Sequence, residues 1–343
     1  MIVRFRRRPA ISLAFVIAMG MTVFSGARAT PDISPPERIG VWRALGHLQS
    51  TDGSRFDVAL LFFRSTTSEA AGPSDLAARA IDASVIAIVD EEHGTLVRGV
   101  RVDREADGLA SAGPGPFDAM VDGWSIAPDR LGPRDLRLHV TQDDAELDLT
   151  LRPRSPAVAL ATSHLRDLAL TQVVARGKLV LGERRVGVRG TFSLERQSSA
   201  TILGDDQAAS EHFTIALDDG RALFVDAPER TNGTPARATR GTFVDGLGRR
   251  TELAGKDIVV ENSMHTVWHG AHGADYPSLF EVSVPKLHLD FAVVPVLPAQ
   301  ELDFEPRGAP FYLASCAVER AHPGPRDSGA GYVEVRGAIR PSP

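Results

Sequence analysis

Apolar residues along this chain recur at every second position, and no stretch keeps a 3.6-residue apolar period over three turns. This pattern constrains the fold more than any other feature. A chain that alternates faces in short runs, with a turn signal after almost every run, builds antiparallel strands rather than helices. Residues 41–49 and 56–64 bracket Asp52-Gly53, and residues 85–90 and 95–102 bracket Glu92-His93-Gly94. Leu136, Leu138 and Val140 alternate before Asp143-Asp144, and Leu147, Leu149 and Leu151 alternate after it. Residues 119–126 read as one strand carrying Trp124. Further on, 173–181 and 185–194 bracket Gly182-Glu183, and 212–217 and 222–226 bracket Asp218-Asp219-Gly220. Runs at 238–245, 257–261, 278–284, 287–295, 311–319 and 331–340 complete the series. About seventeen such runs predict an all-β protein of barrels or sandwiches, with barrels removing the exposed strand edges.

The N-terminus carries a different signal. Arg4, Arg6, Arg7 and Arg8 precede an apolar segment from Ala10 to Phe24, and Ser25-Gly26-Ala27-Arg28-Ala29 follows. That layout predicts a Sec-type signal peptide over residues 1–29, cut after Ala29, and a periplasmic protein. Retention of the segment as an anchor is the other reading, although it is shorter than the ~20 residues of a membrane span. The rest divides at the polar stretch 197–210 into domains at 30–200 and 201–343. A weak echo supports the division, since His47 and His212 each open a strand, Asp-Gly, arginine, strand sequence.

A formal net charge of -6 gives no electrostatic reason to bind nucleic acid. The single cysteine, Cys316, excludes a disulfide framework and a multi-thiolate metal site; in its apolar run it reads as a core residue. No phosphate-cradling loop, dinucleotide fingerprint or Gly-x-Ser-x-Gly elbow is present, so no cofactor is expected.

The order of segments resembles the AttH and carotenoid 1,2-hydratase family over roughly residues 40–338. Gly40-Val41-Trp42-Arg43-Ala44-Leu45-Gly46-His47-Leu48, then Asp52-Gly53 and Leu61-Phe62-Phe63-Arg64, is similar to the family's Trp-Trp-Tyr-x-x-Gly-x-Leu opening and the hairpin after it. Glu195 in Gly190-Thr191-Phe192-Ser193-Leu194-Glu195 takes the place of an acid in a Trp-x-Asp-x-Glu-Trp run. Later, Trp268 with Gly273-Ala274-Asp275-Tyr276-Pro277, then Gln300-Glu301, Tyr312 and the run from Gly331 to Gly337, follow the family's closing segments. The resemblance implies two lipocalin-like (calycin-type) antiparallel β-barrel or sandwich domains in tandem. It also implies either a lipophilic small molecule bound and passed to an ABC-type transporter, with only transient membrane contact, or cofactor-independent hydration or cyclisation of a polyprenoid or polyene. Some fungal relatives are Diels–Alder cyclases.

The densest stretch for chemistry is 264–301. His265, His269 and His272 would share one face of a helix and could hold zinc, but Gly270, Gly273 and Pro277 argue against a helix. Histidines at a barrel mouth are the better expectation, and no metal is expected. Trp42, Trp124, Trp268, Tyr276, Tyr312 and Tyr332 are the amphipathic aromatics. Of these, Trp42, Trp124, Trp268, Tyr276 and Tyr312, with His265 and His269, are expected to line a ligand pocket. Protonating a polyene needs a carboxylic acid in a dry pocket. Glu195 and Glu301 are the candidates, with Asp275 and Asp303 nearby in sequence, and a pairing of Glu195 with His265 or His269 across the two halves is one arrangement to test.

Overall fold

All five bracketed turns close hairpins in the computed structural model. It describes residues 39–66, 80–105, 108–130, 132, 134–161, 166–199, 207–230, 239–262, 267–271, 273–302, 311–321 and 328–337. The leader at 1–29, His265, His272 and Asp303 lie outside these residues. The first half of the chain forms β1 (Ile39–Ser50), β2 (Arg55–Thr66), β3 (Ala80–Asp90), β4 (Thr95–Arg104), β5 (Ala110–Ala112), β6 (Ala119–Val121), β7 (Trp124–Pro128), β8 (Leu136–Gln142), β9 (Ala145–Pro153), β10 (Val158–Ala159), β11 (Arg166–Leu181) and β12 (Arg184–Ser199). The second half forms β13 (Gln207–Leu217), β14 (Ala222–Arg230), β15 (Arg240–Val244), β16 (Arg250–Ala254), β17 (Val259–Asn262), β18 (Val267–His269), β19 (Asp275–Pro277), β20 (Phe280–Val284), β21 (Leu289–Pro295), β22 (Glu301–Leu302), β23 (Phe311–Arg320) and β24 (Ser328–Gly337). Among the described residues the only helical pieces are two 3₁₀ turns, Gly255–Asp257 and Pro285–Leu287.

The strand expected over 119–126 is two strands, β6 and β7. Asp122 and Gly123 between them both adopt positive φ, 45° and 84°. A two-residue connection of that kind matches the twist of the hairpin it closes, and Asp-Gly is the pair that tolerates it.

Pairing is antiparallel throughout. The first sheet runs β4-β3-β2-β1-β12-β11-β9-β8-β7-β6-β5, and the second β16-β15-β14-β13-β24-β23-β21-β20-β17. The first curls into a nearly closed barrel and the second into a half-barrel. Arg101 of β4 spans the seam of the first. Its guanidinium lies 4.5 Å from the Trp124 ring and donates to the Thr141 carbonyl at 2.7 Å. Both sheets belong to one compact unit.

Strands β1, β2 and β3 are buried on both faces. Their inward residues, Trp42, Leu48, Leu60, Phe62, Ile86 and Ile88, fill the first barrel together with Trp124, Phe192 and Leu194. Gly46 lies opposite Phe192 in the register, and a Cβ at Gly46 would run into that ring. The outward residues Val41, Leu45, Leu61, Phe63 and Val85 pack on Leu302, Phe311, Leu313 and Tyr332 of the second sheet. Phe63 and Phe311 meet edge to face at 5.9 Å. The Tyr332 hydroxyl lies 2.7 Å from the Gly46 carbonyl and 3.0 Å from that of Val58, tying β24 to the back of β1 and β2. Cys316 is buried in the core of the second sheet.

Because this apolar layer is shared, Phe311→Ala is expected to cost about 3–5 kcal/mol. Urea unfolding should show both sheets melting in one transition at a lower midpoint; an unchanged midpoint would refute the shared layer.

Candidate functional site

The alternation that fills the first barrel with apolar side chains stops near one end. On β3, Ile86 and Ile88 face the barrel core, and Ser84 and Asp82 continue the same face. In the register, Ser84 lies beside Phe62, Phe62 beside Trp42, and Trp42 beside Arg196. One rung further out, Asp82 lies beside Arg64, Arg64 beside Gly40, and Gly40 beside Ser198. These two rungs put an indole, two arginines, a carboxyl and two hydroxyls at the mouth of the barrel.

A cavity of about 640 Å³ opens there. Gly40, Trp42, Arg64, Leu168, Arg196 and Ser198 line one side, and the loop at 112–116 lines the other. The Arg196 guanidinium stacks on the Trp42 ring at 3.9 Å. Below this level the barrel is filled with side chains, so the cavity does not run on through the barrel. Three buried polar atoms at this end have no protein partner: Trp42 Nε1, Ser84 Oγ and Asp82 Oδ2. Each such atom costs about 1–3 kcal/mol if nothing bonds it.

Asp82 is only 4% exposed. Burial pushes its carboxyl up to about 6, against the pull of Arg64, whose Nε lies 3.9 Å from Oδ1. Arg64 also pairs with Glu105, and the Glu105 carboxylate adds to the rise at Asp82. A carboxyl of this kind keeps its proton to a higher pH than an ordinary aspartate, up to about 6, and can give it up. Sequence reasoning missed Asp82. Its signal was phase, since Asp82 and Ser84 fall in step with Ile86 and Ile88.

The two acids expected from the sequence stand elsewhere, with both oxygens of each engaged. Glu195 of β12 lies between the sheets. Its Oε2 is 2.8 Å from His212 Nε2, and its Oε1 accepts from the Thr214 hydroxyl. The histidine that meets Glu195 across the two halves is therefore His212; His269 instead pairs with Asp275 at 2.6 Å, exposed to solvent. His212 Nδ1 lies 2.6 Å from Asp226. Nearby, Glu334 accepts from Arg43 Nε at 2.7 Å and from Arg336. These six groups are all buried. Burial alone would lower the His212 pKa, but the Glu195 and Asp226 carboxylates outweigh burial and the opposing Arg43 and hold it at about 10. With His212 protonated, three positive groups face three negative ones.

Glu301 Oε1 accepts from the Tyr276 hydroxyl at 2.8 Å, and Oε2 from the Ala271 N–H at 2.7 Å. Tyr276 stacks on Tyr312 at 4.4 Å and on half-buried Trp268 at 5.8 Å, while the Tyr312 hydroxyl donates to the Pro298 carbonyl at 3.1 Å. Gln300 braces the same corner through the Ser315 N–H at 3.0 Å. This aromatic stack and its acid pin the β18–β19 ribbon to β22. Trp124 is fully buried, its indole N–H donating to the Thr141 carbonyl at 2.7 Å. Of the aromatics expected at a pocket, Trp42 lines the mouth cavity. Among the described residues, no group of three or more His, Cys, Asp or Glu side chains is placed to hold a metal ion.

With the geometry in place, the chain can be set beside known proteins. It matches the AttH-like family over residues 32–338 and belongs to that family. No curated protein matches its sequence. A crystal structure of a putative AttH from Nitrosomonas europaea shares the fold at a TM-score of 0.75 and 21% identity, covering 89% of this chain and 94% of that one. Kievitone hydratase from Nectria haematococca follows at a TM-score of 0.66 and 13% identity, covering 88% and 89%. CghA matches at 0.52 and 12%, also covering 88% and 89%.

The buried charges set how stability varies with pH. His212 has a folded pKa above its ordinary 6.5, so its contribution is complete below about 6.5 and lost as pH rises towards about 10. Glu334 is held below its ordinary 4.5: burial raises it, but Arg336 and Arg43 lower it more, so its contribution is lost as pH falls below that value. Glu334→Gln, which strands two buried arginines, is expected to cost about 3–5 kcal/mol in urea unfolding at pH 6. Asp82 has the opposite sense to Glu334: its folded pKa lies above its ordinary 3.8, and its charged form weakens the fold as pH rises through about 6. Asp82→Asn should therefore melt higher than wild type at pH 8 and no higher at pH 4; equal melting at both would refute the assignment.

Proposed function

We propose that this AttH-like protein binds a small amphipathic organic molecule at the mouth of the first barrel and protonates it there, as a hydratase does. The observation that carries this reading is Asp82: a buried carboxyl with one oxygen unpartnered and its pKa raised to about 6, one strand beyond a cavity lined by Trp42, Arg64 and Arg196. The indole and Leu168 offer the apolar surface, and the arginines offer donors to a polar end. In the chemical step the Asp82 carboxyl gives its proton to one carbon of a double bond. Water adds to the cationic carbon, and the proton released from that water returns to the Asp82 carboxylate. No cofactor enters this cycle. The hydratase among the structures of like fold supports the reaction class. The arginine-rich N-terminus supports export to the periplasm as the setting.

Binding without turnover, by a carrier serving a membrane transporter, is the second reading. It is favoured by the Arg196–Trp42 stack, which recognises a ligand without chemistry.

Kievitone is a suitable first probe, followed by other alkenes bearing a polar end. Hydration is expected to fall about tenfold per pH unit above pH 6, because the acid form of Asp82 is the donor. Asp82→Asn should lower turnover about a hundredfold or more while the quenching of Trp42 fluorescence by ligand persists; Trp42→Ala should lose binding. Binding that survives Asp82→Asn with no turnover by wild type on any probe would favour the carrier. Turnover unaffected by Asp82→Asn would refute the acid.

A further inference from the structure

The outer face of the first barrel carries a second constellation that the mouth chemistry does not use. Arg176 of β11 and Arg189 of β12 stand directly opposite each other in the register. Side chains so placed start about 5 Å apart at Cβ, and like charges there repel. Both are exposed, and neither has an ion-pair partner among the described residues. The rung continues on both sides. Gln49 lies beside Arg189 and Arg55 beside Gln49, while Thr150 lies beside Arg176 and Arg137 beside Thr150. Arg55 is neutralised by Glu91 at 2.7 Å, and Arg137 donates to the Thr150 hydroxyl at 3.3 Å. The two central arginines are left uncompensated in a chain of net charge -6.

A cleft of about 490 Å³ opens beside them, lined by both arginines with His47, Gln49, Arg55, Thr191 and Glu91, whose carboxylate is taken up by Arg55. The histidine is fixed. Its Nδ1 lies 2.6 Å from Asp57, a carboxylate only 2% exposed, and its ring packs on Tyr332 at 5.2 Å between centroids. Asp57 thus takes one ring nitrogen and leaves Nε2 for a ligand. Thr191, beside His47 in the register, adds a hydroxyl. Two unopposed guanidinium forks and the Thr191 hydroxyl around a small cleft form a set of donors that matches a tetrahedral oxyanion, with the oriented imidazole beside them.

We propose that this cleft is a second ligand site, one that binds a phosphoryl group. Its size suits a small soluble phosphomonoester, and a phospholipid headgroup presents the same chemistry. The site is separate from the mouth: Gly40 and Gln49 on β1 are roughly 30 Å apart along the strand, and the two positions belong to opposite faces.

Titration calorimetry of the full chain with glycerol 3-phosphate tests the proposal, with glycerol as the uncharged control. Flotation on phosphatidylglycerol vesicles, against phosphatidylcholine vesicles, tests the lipid source. The expected result is binding of glycerol 3-phosphate and not glycerol, weakened about tenfold by Arg176→Gln and by Arg189→Gln. Asp82→Asn should leave the affinity unchanged. Removing one of two opposed charges should not lower the melting temperature, so a loss of binding cannot be ascribed to unfolding. Vesicle binding lost in the same two variants, without binding of glycerol 3-phosphate, would place the phosphoryl group on a lipid and support the site. No binding in either arm, or binding that both variants retain, would overturn the proposal.

Discussion

Charge neutrality in a buried layer is the condition on which this structure rests. Arg43, Arg336 and His212 lie between the sheets with Glu195, Asp226 and Glu334, and none of the six has bulk water to solvate it. Desolvating an isolated ion costs several kcal/mol, so each of these is tolerable only because the others are there. The six come from five strands: β1 and β12 of the first sheet, and β13, β14 and β24 of the second. Neutrality is reached only when both sheets are in place and aligned, which gives the apolar contact around Phe63 and Phe311 a fixed registration. Apolar surfaces alone slide at little cost; paired charges do not.

The same layer lets the mouth of the first barrel carry groups that a free-standing wall could not. Because β1–β3 are supported from behind by β23 and β24, the barrel wall is held from both sides, and the inward face can carry groups that weaken the fold. Asp82, Ser84 and Trp42 Nε1 are such groups. The usual reason to keep them is that something binds there. The two acids suggested by sequence are better paired than Asp82, with both oxygens of each taken up by protein groups. Glu195 sits between a protonated histidine and a hydroxyl, and Glu301 between a phenol and a backbone N–H.

The local part of the fold was legible in the sequence. Turn residues and period-two alternation marked the hairpins, and Trp42 and Gly46 stood out through the resemblance of their surroundings to a family opening. What escaped was of two kinds. Asp122-Gly123 was a hairpin signal hidden inside an apolar run, and it was read through as one strand. Asp82 and the partner of Glu195 depend on which face of a strand meets which neighbour. On β3 both faces are buried, so alternation cannot tell the barrel side from the interface side. His212 and Glu195 are 17 residues apart and on different sheets, joined by a stretch with no local pattern to announce the meeting.

The order in which strand partners emerge governs how the chain reaches this state. In each half the first strand is hydrogen-bonded to the last: β1 to β12, and β13 to β24. The inner edge of β1 has no partner until residue 199 has emerged, and the edge of β13 waits for residue 337. Such closures between distant segments make folding slow relative to the formation of the hairpins between them. A chain whose opening strand waits for a distant partner carries an open β edge through most of its own assembly, and that edge closes only when the last strand of its half arrives.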